Sequence, residues 1–360
     1  VIRTQMGLDF DGRTFEDNFL IADVRMKAPF PAERRFYFNA PFNDGLTALM
    51  HQQPDDIWRL DFQLGWQIDR EAAIREENVT PRVRAMLGPD VEFEYEWVSI
   101  YTFQCRRMQR FVHDRVIFAG DAAHLVSPFG ARGANSGLQD IDNLGWKLAA
   151  VLKGTSGPKL LASYDAERCF GADENIRHST RATDFMAPKS VAECAFRDAV
   201  LELAQRHPFA RSFVNSGRLS VPCSQRGSSL TTADSDAFDC PLKPGDVCLD
   251  SPVALHGQAG WLLEHLGREF ICLYFSGSGA PSSDQITRTL PNGVRLLSIG
   301  DQTSDTLQDP AGRLRQRYDG APGTAYLVRP DQHIAARWRQ YDAAALAAAL
   351  ARACGHLHRH

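Results

Sequence analysis

The chain has 360 residues, 44% hydrophobic and 23% charged, with a formal net charge of −4. That length supports two domains and a sizeable core. The mild acidity excludes a general nucleic-acid binder, which needs many cations to neutralise phosphates. No apolar run approaches the roughly 20 residues of a membrane span.

Residues from about 18 to 65 read as short strands: "FLIADVRM", "RRFYFNA", "LTALMHQQ" and "IWRLDFQLG" are rich in aromatic and β-branched residues and separated by Pro, Asp, Asn and Gly. "DREAAIREENVTPRVRAMLG" reads as a helix ending at Gly88, and "FEYEWVSIYTFQCRRMQRF" as one long or two short strands. "RVIFAG" is a compact apolar strand. Leu138, Ile141, Leu144, Leu148, Val151 and Leu152 then recur at helical spacing up to Gly154. Two further helices are predicted over "LLASYDAERCFGADENIRHSTRATDFM" and "SVAECAFRDAVLELAQRHPFARSFV".

Residues 217–252 are rich in Ser, Pro, Asp and Gly and read as a linker. Beyond it the pattern alternates: helix "GWLLEHLG", strand "FICLYF", a helix near 282–289, strand "VRLLSIG", a helical turn, strands "TAYLVRP" and "HIAARW", and helix "DAAALAAALARAC". That is a small α/β unit over 253–360. The eight cysteines form no C-x-x-C, so they read as reduced thiols of a cytoplasmic protein, with no metal site expected.

The chemistry concentrates in "GDAAHLVSPFGARGANSG", Gly120 to Gly137, between the apolar strand and the helix. Gly120 lets a bulky planar group approach the backbone. Asp121, at the carboxyl end of a strand, can accept hydrogen bonds from sugar-like hydroxyls. Pro128 fixes the loop. Gly130, Gly133 and Gly137 leave N–H groups unobstructed at a helix start, which favours negative charge. The loop therefore reads as a site for a ligand with hydroxyls and a delocalised anion. On the following helix Asp140, Asn143 and Lys147 share a face opposite the Leu/Ile stripe; Lys147 reads as solvated there, and Asp140 and Asn143 as ties to neighbouring backbone. His124 reads as structural. "FSGSGAPSS" is a partial G-x-G-x-x-G that Pro281 spoils as a dinucleotide fingerprint.

The G-D-A-A-H core, the P-x-G-x-x-x-N-x-G loop, the D-x-x-N-L-x-W-K-L helix and the S-Y-x-x-E-R helix together resemble the second flavin motif of class A flavin-dependent aromatic hydroxylases, which have the para-hydroxybenzoate hydroxylase fold. "RRFYFNAPF", "LMHQQPDDIWRLDFQL" and "YLVRPDQHIAARW" are similar to the 3-(3-hydroxyphenyl)propionate and phenol hydroxylase branch. The resemblance implies an α/β (α+β) fold: a mixed-sheet substrate domain over 1–110, the second half of an FAD domain over 111–216, the linker, and a thioredoxin-like domain over 253–360. It implies an FAD- and NADH- or NADPH-using monooxygenase that hydroxylates a phenolic substrate with molecular oxygen through a flavin C4a-hydroperoxide, in aromatic catabolism.

By the same resemblance Asp121 contacts the ribityl chain, and Pro128 lies beside flavin and substrate. Gly120 and Gly130 belong to the same cradle, and the N–H groups of Gly133, Ala134 and Asn135 face the flavin pyrimidine edge. His51, Gln53 and Tyr101 are expected in the substrate pocket, and a homodimer is compatible. No catalytic base is identified.

The family's G-x-G-x-x-G element and later D-G motif do not occur in these residues, so the resemblance implies that about a third of a typical hydroxylase lies upstream. The chain alone is then expected not to retain FAD and to be inactive. The competing readings are a flavoprotein oxidoreductase without oxygen insertion and a non-catalytic binding or dimerisation fragment.

Overall fold

The computed structural model describes residues 1–214, 221–300 and 306–356. The chain divides into two compact units. The first comprises Val1–Gln109, Gly120–Asn135 and Asp173–Ser220, and the second Arg110–Ala119, Ser136–Ala172 and Val221–His360. In chain order the first elements are α1 (Ile2–Gln5), β1 (Asp11–Arg25), β2 (Arg35–Tyr37), β3 (Ala48–Gln52), β4 (Ile57–Gly65), α2 (Arg70–Ala73), α3 (Glu76–Leu87), β5 (Glu94–Arg107), β6 (Val112–His113), β7 (Val116–Ile117) and β8 (His124–Leu125). There follow α4 (Gly133–Leu152), α5 (Leu160–Met186), α6 (Val191–Arg206), α7 (Pro208–Val214), β9 (Pro252–Leu255), β10 (Gln258–Trp261), β11 (Phe270–Phe275), α8 (Ser283–Thr289), β12 (Val294–Ile299), α9 (Arg313–Tyr318), β13 (Ala325–Val328), β14 (Ile334–Trp338) and α10 (Ala343–Ala353).

The first unit is built on an antiparallel sheet of order β2-β3-β4-β1-β5-β8. Strand alternation sends Leu20, Ala22, Val24, Met50, Trp58, Leu60 and Phe62 to one face, where Val79 and Val83 of α3 cover them. The opposite face carries Phe19, Phe103 and Cys105, packed with Phe15, Phe129 and Met186. By the same alternation it also carries Asp23, Arg59, Asp61, Gln63 and His51. That face is thus apolar at one end and charged at the other.

The second unit holds a sheet of order β12-β11-β13-β14. β11 and β12 are parallel, as their helical connection α8 requires; β13 and β14 are antiparallel neighbours. β11 is buried along its whole length because both its faces are covered, one by the cluster with Leu262 and Leu314, the other by the cluster with Leu346 and Ala349. Residues 221–251 hold no helix or strand. They are nevertheless tied to this sheet: Thr232 N–H donates to Ala335 O, Gly245 N–H to Ile334 O, and Arg337 to both oxygens of Asp234.

Most expected elements are present, and "FEYEWVSIYTFQCRRMQRF" takes the first of its two expected forms, one 14-residue strand. Four stretches differ. The single helix expected up to Gly88 is two, α2 and α3, interrupted at Ile74 and Arg75. The apolar run at "RVIFAG" gives only the two-residue β7, paired with β6 through a turn at Asp114 with φ 54°. "GWLLEHLG" is not an α-helix. His256 and Gly257, both at positive φ, turn the chain so that β10 pairs with β9, and only a 3-10 turn, Leu262–His265, follows. The helix expected over 190–214 breaks at His207, because Pro208 has no N–H to continue it.

Candidate flavin-binding site

The loop 120–135 lies in the first unit. β8 anchors its start, where Leu125 and His124 pair with Arg106 and Arg107 of β5. Ser127 fixes its middle by donating to Ser179 O at 3.4 Å and accepting from the Thr183 hydroxyl at 2.7 Å. Pro128, Phe129 and Gly130 then form a turn closed by Ala131 N–H to Pro128 O at 3.1 Å. Gly130 (φ 98°) and Ala131 (φ 53°) both take left-handed conformations there. At Gly130 the requirement is strict, since a side chain at that φ is strained and its Cβ would lie 3.2 Å from Arg132 Nε. Arg132 is buried and donates to Asn175 Oδ1 at 3.1 Å, so the loop is held from behind.

This framework leaves a particular set of groups facing outward. Asp121 is exposed and makes no hydrogen bond or ion pair among the described residues. Pro128, Ala134 and Asn135 are exposed, and Gly133 is half-buried. α4 starts at Gly133, so the N–H groups of Gly133, Ala134 and Asn135 have no partner within the helix. The Asn135 side chain turns back to Ala131 O at 2.7 Å, closing the helix start and leaving those N–H groups outward. An unpaired carboxylate, a fixed proline and a bare helix N-terminus on one loop fit a group that offers hydroxyls at one end and delocalised negative charge at the other. Flavin is such a group.

The aromatic end of the sheet adjoins this loop. Phe129 packs edge-on against Phe103 at 5.3 Å and against Phe19 at 5.8 Å. Tyr101 lies 5.5 Å from Phe103 and is half-exposed. A cavity of about 240 Å³ opens beside it, lined by Arg70, Tyr101, Thr102, Gln104, Leu125 and Val126. Of the expected pocket residues, Tyr101 is therefore next to the loop. His51 is not: it pairs with Arg59, which pairs with Asp23 and through it with Trp97, four residues along β5 from Tyr101. Gln53 follows β3 at the same end. Three strand spacings and four residues put His51 roughly 19 Å from Tyr101 on the same face.

The sequence reading overlooked Asp61. It sits between the two ends, in register with Ile21 and, across β1, with Ser99. Its Oδ2 is sealed from solvent and has no hydrogen-bond partner. Burial pushes its carboxyl up to about 7; Arg59 and Arg34 oppose the rise, and Asp23 adds to it. The signal was the alternation in "IWRLDFQLG", which sets Arg59, Asp61 and Gln63 on one face of a central strand.

The remainder of the motif does different work, in the second unit. Lys147 is fully buried, not solvated, whereas Leu138 and Ile141 are 69% and 58% exposed. The polar stripe is the packed one because partners await it. Lys147 Nζ donates to Glu167 Oε2 at 2.7 Å and to Asn143 Oδ1 at 2.8 Å. Asn143 donates to Glu167 and to Asp331, and Asp140 accepts from Arg168 Nε at 2.6 Å. Asp140 and Asn143 thus bind side chains.

A profile described as an FAD binding domain matches residues 1–179. A 3-(3-hydroxy-phenyl)propionate/3-hydroxycinnamic acid hydroxylase of Comamonas testosteroni is 32% identical over 98% of this chain and 69% of that protein. The chain belongs to the FAD-dependent aromatic hydroxylase family. Another hydroxylase of the same description, from Klebsiella pneumoniae, is 27% identical over 95% of the chain, and the chain spans only 60% of that relative's length. The fold of this hydroxylase-family chain is also that of the flavin-dependent monooxygenase PieE, solved with FAD and substrate, with a TM-score of 0.78 at 21% identity over 99% of the chain and 68% of PieE. RebC, solved with reduced flavin, gives 0.70 at 24% identity over 99% of the chain and 66% of RebC. No described helix is long and apolar enough to cross a membrane.

Proposed function

We propose that the protein is a monooxygenase that hydroxylates a phenolic aromatic acid, with FAD seated on the loop 120–135. The observation that carries this is the placement of that loop: its outward Asp121, Pro128 and helix start adjoin the aromatic end of a sheet face, within one unit. Asp121 holds the ribityl hydroxyls. Pro128 borders flavin and substrate. The N–H groups of Gly133, Ala134 and Asn135 stabilise negative charge on the pyrimidine edge. Gly120 and Gly130 give the backbone its close approach.

Bound FAD, reduced by NADH or NADPH, supplies oxygen activation, including the hydroperoxide chemistry expected from the resemblance. The protein's share is to orient the ring and exclude water; Phe19, Phe103 and Phe129 form the apolar wall that does so. The relatives' descriptions name hydroxyphenyl acids, which match a face that is aromatic at one end and charged at the other.

The C-terminal unit is proposed to be thioredoxin-like, on its strand order and directions. Its Cys248 and Cys272 are buried, and burial pushes both thiols up to about 12, which does not suit thiol redox work.

The test is NAD(P)H oxidation by the full-length protein with FAD and 3-(3-hydroxyphenyl)propionate, with product mass measured. Gain of one oxygen atom is expected. Cofactor oxidation that yields only peroxide with every phenolic acid tried would refute the reading.

A further inference from the structure

Arg70 is exposed, yet it is held in one place. It opens α2, the four-residue helix that Asp69 caps by accepting from the N–H groups of Glu71 and Ala72. Its Nη1 donates to Asn18 Oδ1 and its Nη2 to Ile100 O, both at 2.8 Å. Asn18 is buried and is fixed in turn, its Nδ2 donating to Gly65 O at 3.0 Å and to Trp66 O at 3.1 Å. The guanidinium is therefore pinned by neutral groups. They set its position and leave its charge unbalanced, because Arg70 forms no ion pair among the described residues. Its other N–H donors remain available. Arg59, on the sheet face, is in the opposite state: Asp23 takes it through Nε to Oδ1 and Nη2 to Oδ2, both at 2.8 Å.

Arg70 lines the cavity of about 240 Å³ beside Tyr101, and Thr102, Gln104, Leu125 and Val126 line it as well. All of these residues lie in the first unit. The Thr102 hydroxyl and the Gln104 amide have no hydrogen-bond partner among the described residues. The cavity thus combines one uncompensated cation, two unengaged polar side chains and an aliphatic wall from the start of the flavin loop. Those groups suit a small organic anion, since a charged acceptor facing a guanidinium gains roughly twice what a neutral one does.

We propose that this cavity is the carboxylate subsite of the aromatic substrate: Arg70 receives the acid tail, Thr102 and Gln104 add hydrogen bonds, and the ring lies at the mouth against Tyr101. This rests on the hydroxylase reading and names the group that selects an acid within it. The size of the cavity agrees. It is smaller than the roughly 300–1,000 Å³ of sites that enclose a whole drug-sized ligand, so it takes the tail and leaves the ring outside. The position agrees too. Val126 lines the cavity and Pro128 follows two residues later, at most about 7 Å along the chain. A ring on a three-carbon acid tail reaches from Arg70 toward that proline.

The experiment titrates 3-(3-hydroxyphenyl)propionate and its uncharged primary amide into the FAD-loaded full-length protein, by calorimetry. Wild type is expected to prefer the acid. Arg70→Met should weaken the acid about tenfold and the amide by less than about twofold. Arg70→Lys keeps the charge without the planar fork and should recover part of the preference. Thr102→Val leaves the ties of α2 intact and should weaken the acid about threefold, so it decides the matter even where Arg70→Met does not fold. In turnover, KM for the acid should rise in Arg70→Met by the same factor as Kd with kcat little changed, because the carboxylate does not react. Equal losses for acid and amide in Arg70→Met, or an unchanged acid affinity in Thr102→Val, overturns the proposal, reduces Arg70 to a tie between α2 and β5, and leaves the hydroxylase reading standing. Failure of both compounds to bind the wild-type protein overturns both.

Discussion

Arg329 meets Glu167 as two parallel hydrogen bonds, Nη1 to Oε1 at 2.7 Å and Nη2 to Oε2 at 2.9 Å, with both side chains buried. The same guanidinium holds Asp331 through Nε at 2.9 Å. Lys147 and Asn143 complete the cluster from α4, and the Ser228 hydroxyl donates to Glu167 from the segment before the sheet. Three separated stretches of the second unit are thus joined at one carboxylate. Charge balances closely, two cations against two anions, which is the condition for burying ions at tolerable cost.

Removing that carboxylate should be expensive. Glu167→Ala leaves Arg329 and Lys147 sharing Asp331 alone, with their remaining donors buried. The expected loss is about 3–5 kcal/mol of stability, read from urea denaturation followed by Trp fluorescence. Lys147→Met should cost less, because Arg329 still satisfies Glu167. Equal losses for the two variants would show that the Lys147 contact, and not the Arg329 pair, holds the cluster.

The cluster also fixes an acid limit. Burial alone would raise Glu167 and Asp331, but Arg329 outweighs it for both, helped by Lys147 at Glu167 and by His333 at Asp331. Both are depressed in the folded protein relative to the unfolded values of 4.5 and 3.8. Their contribution is therefore complete above those values and is lost as pH falls below them. Stability measured from neutral pH downward should drop in that range, and the drop should be shallower in Glu167→Gln, which has one fewer carboxylate to protonate. A parallel drop in wild type and variant would assign acid lability to other carboxylates.

Asp61 has the opposite sign. Its carboxyl is raised from 3.8 to about 7, so the folded protein holds a proton that the unfolded chain releases. The stabilisation is complete below 3.8 and is lost as pH rises through about 7. Above that pH the folded chain carries a buried charge, which Asp61→Asn removes. The variant should melt higher than wild type at about pH 8, by up to about 2 kcal/mol after allowance for local relaxation, and the difference should vanish in acid. Thermal melts at two pH values decide it, and a lower melting point for the variant at about pH 8 would show that the charged form is stabilised.

The sheets, the long helices and the turn of the glycine-rich loop were legible because each rests on a local pattern: the unbroken apolar run of "FICLYF", alternation in "IWRLDFQLG", helical spacing from Leu138, glycine and proline around Pro128. What was not legible depends on partners distant in sequence. Lys147 looks solvated until Glu167 and Arg329, 20 and 182 positions away, are brought to it. "GWLLEHLG" has helical composition, but its strand half is dictated by the turn at His256 and Gly257 and by pairing with β9. His51 and Tyr101 share a face by parity, yet only the strand order shows how far apart they lie.

Asp121 gives the sharpest check on the flavin site. The carboxylate is exposed and has no partner among the described residues, so nothing in the fold depends on it. Asp121→Ala should leave the melting temperature unchanged. If the carboxylate binds ribityl hydroxyls, the variant loses charge-assisted hydrogen bonds worth about 1.5–3 kcal/mol, roughly a ten- to hundredfold weaker Kd for FAD. Asp121→Asn keeps an acceptor without the charge and should fall between the two. Gly130→Val supplies the contrast: at φ 98° it strains the turn, so it should lower both flavin affinity and stability. Flavin fluorescence quenching on titration into the full-length protein measures all three. An Asp121→Ala protein that binds FAD as tightly as wild type would remove this residue from the site, and with it the argument that the loop was shaped around a hydroxyl-bearing chain.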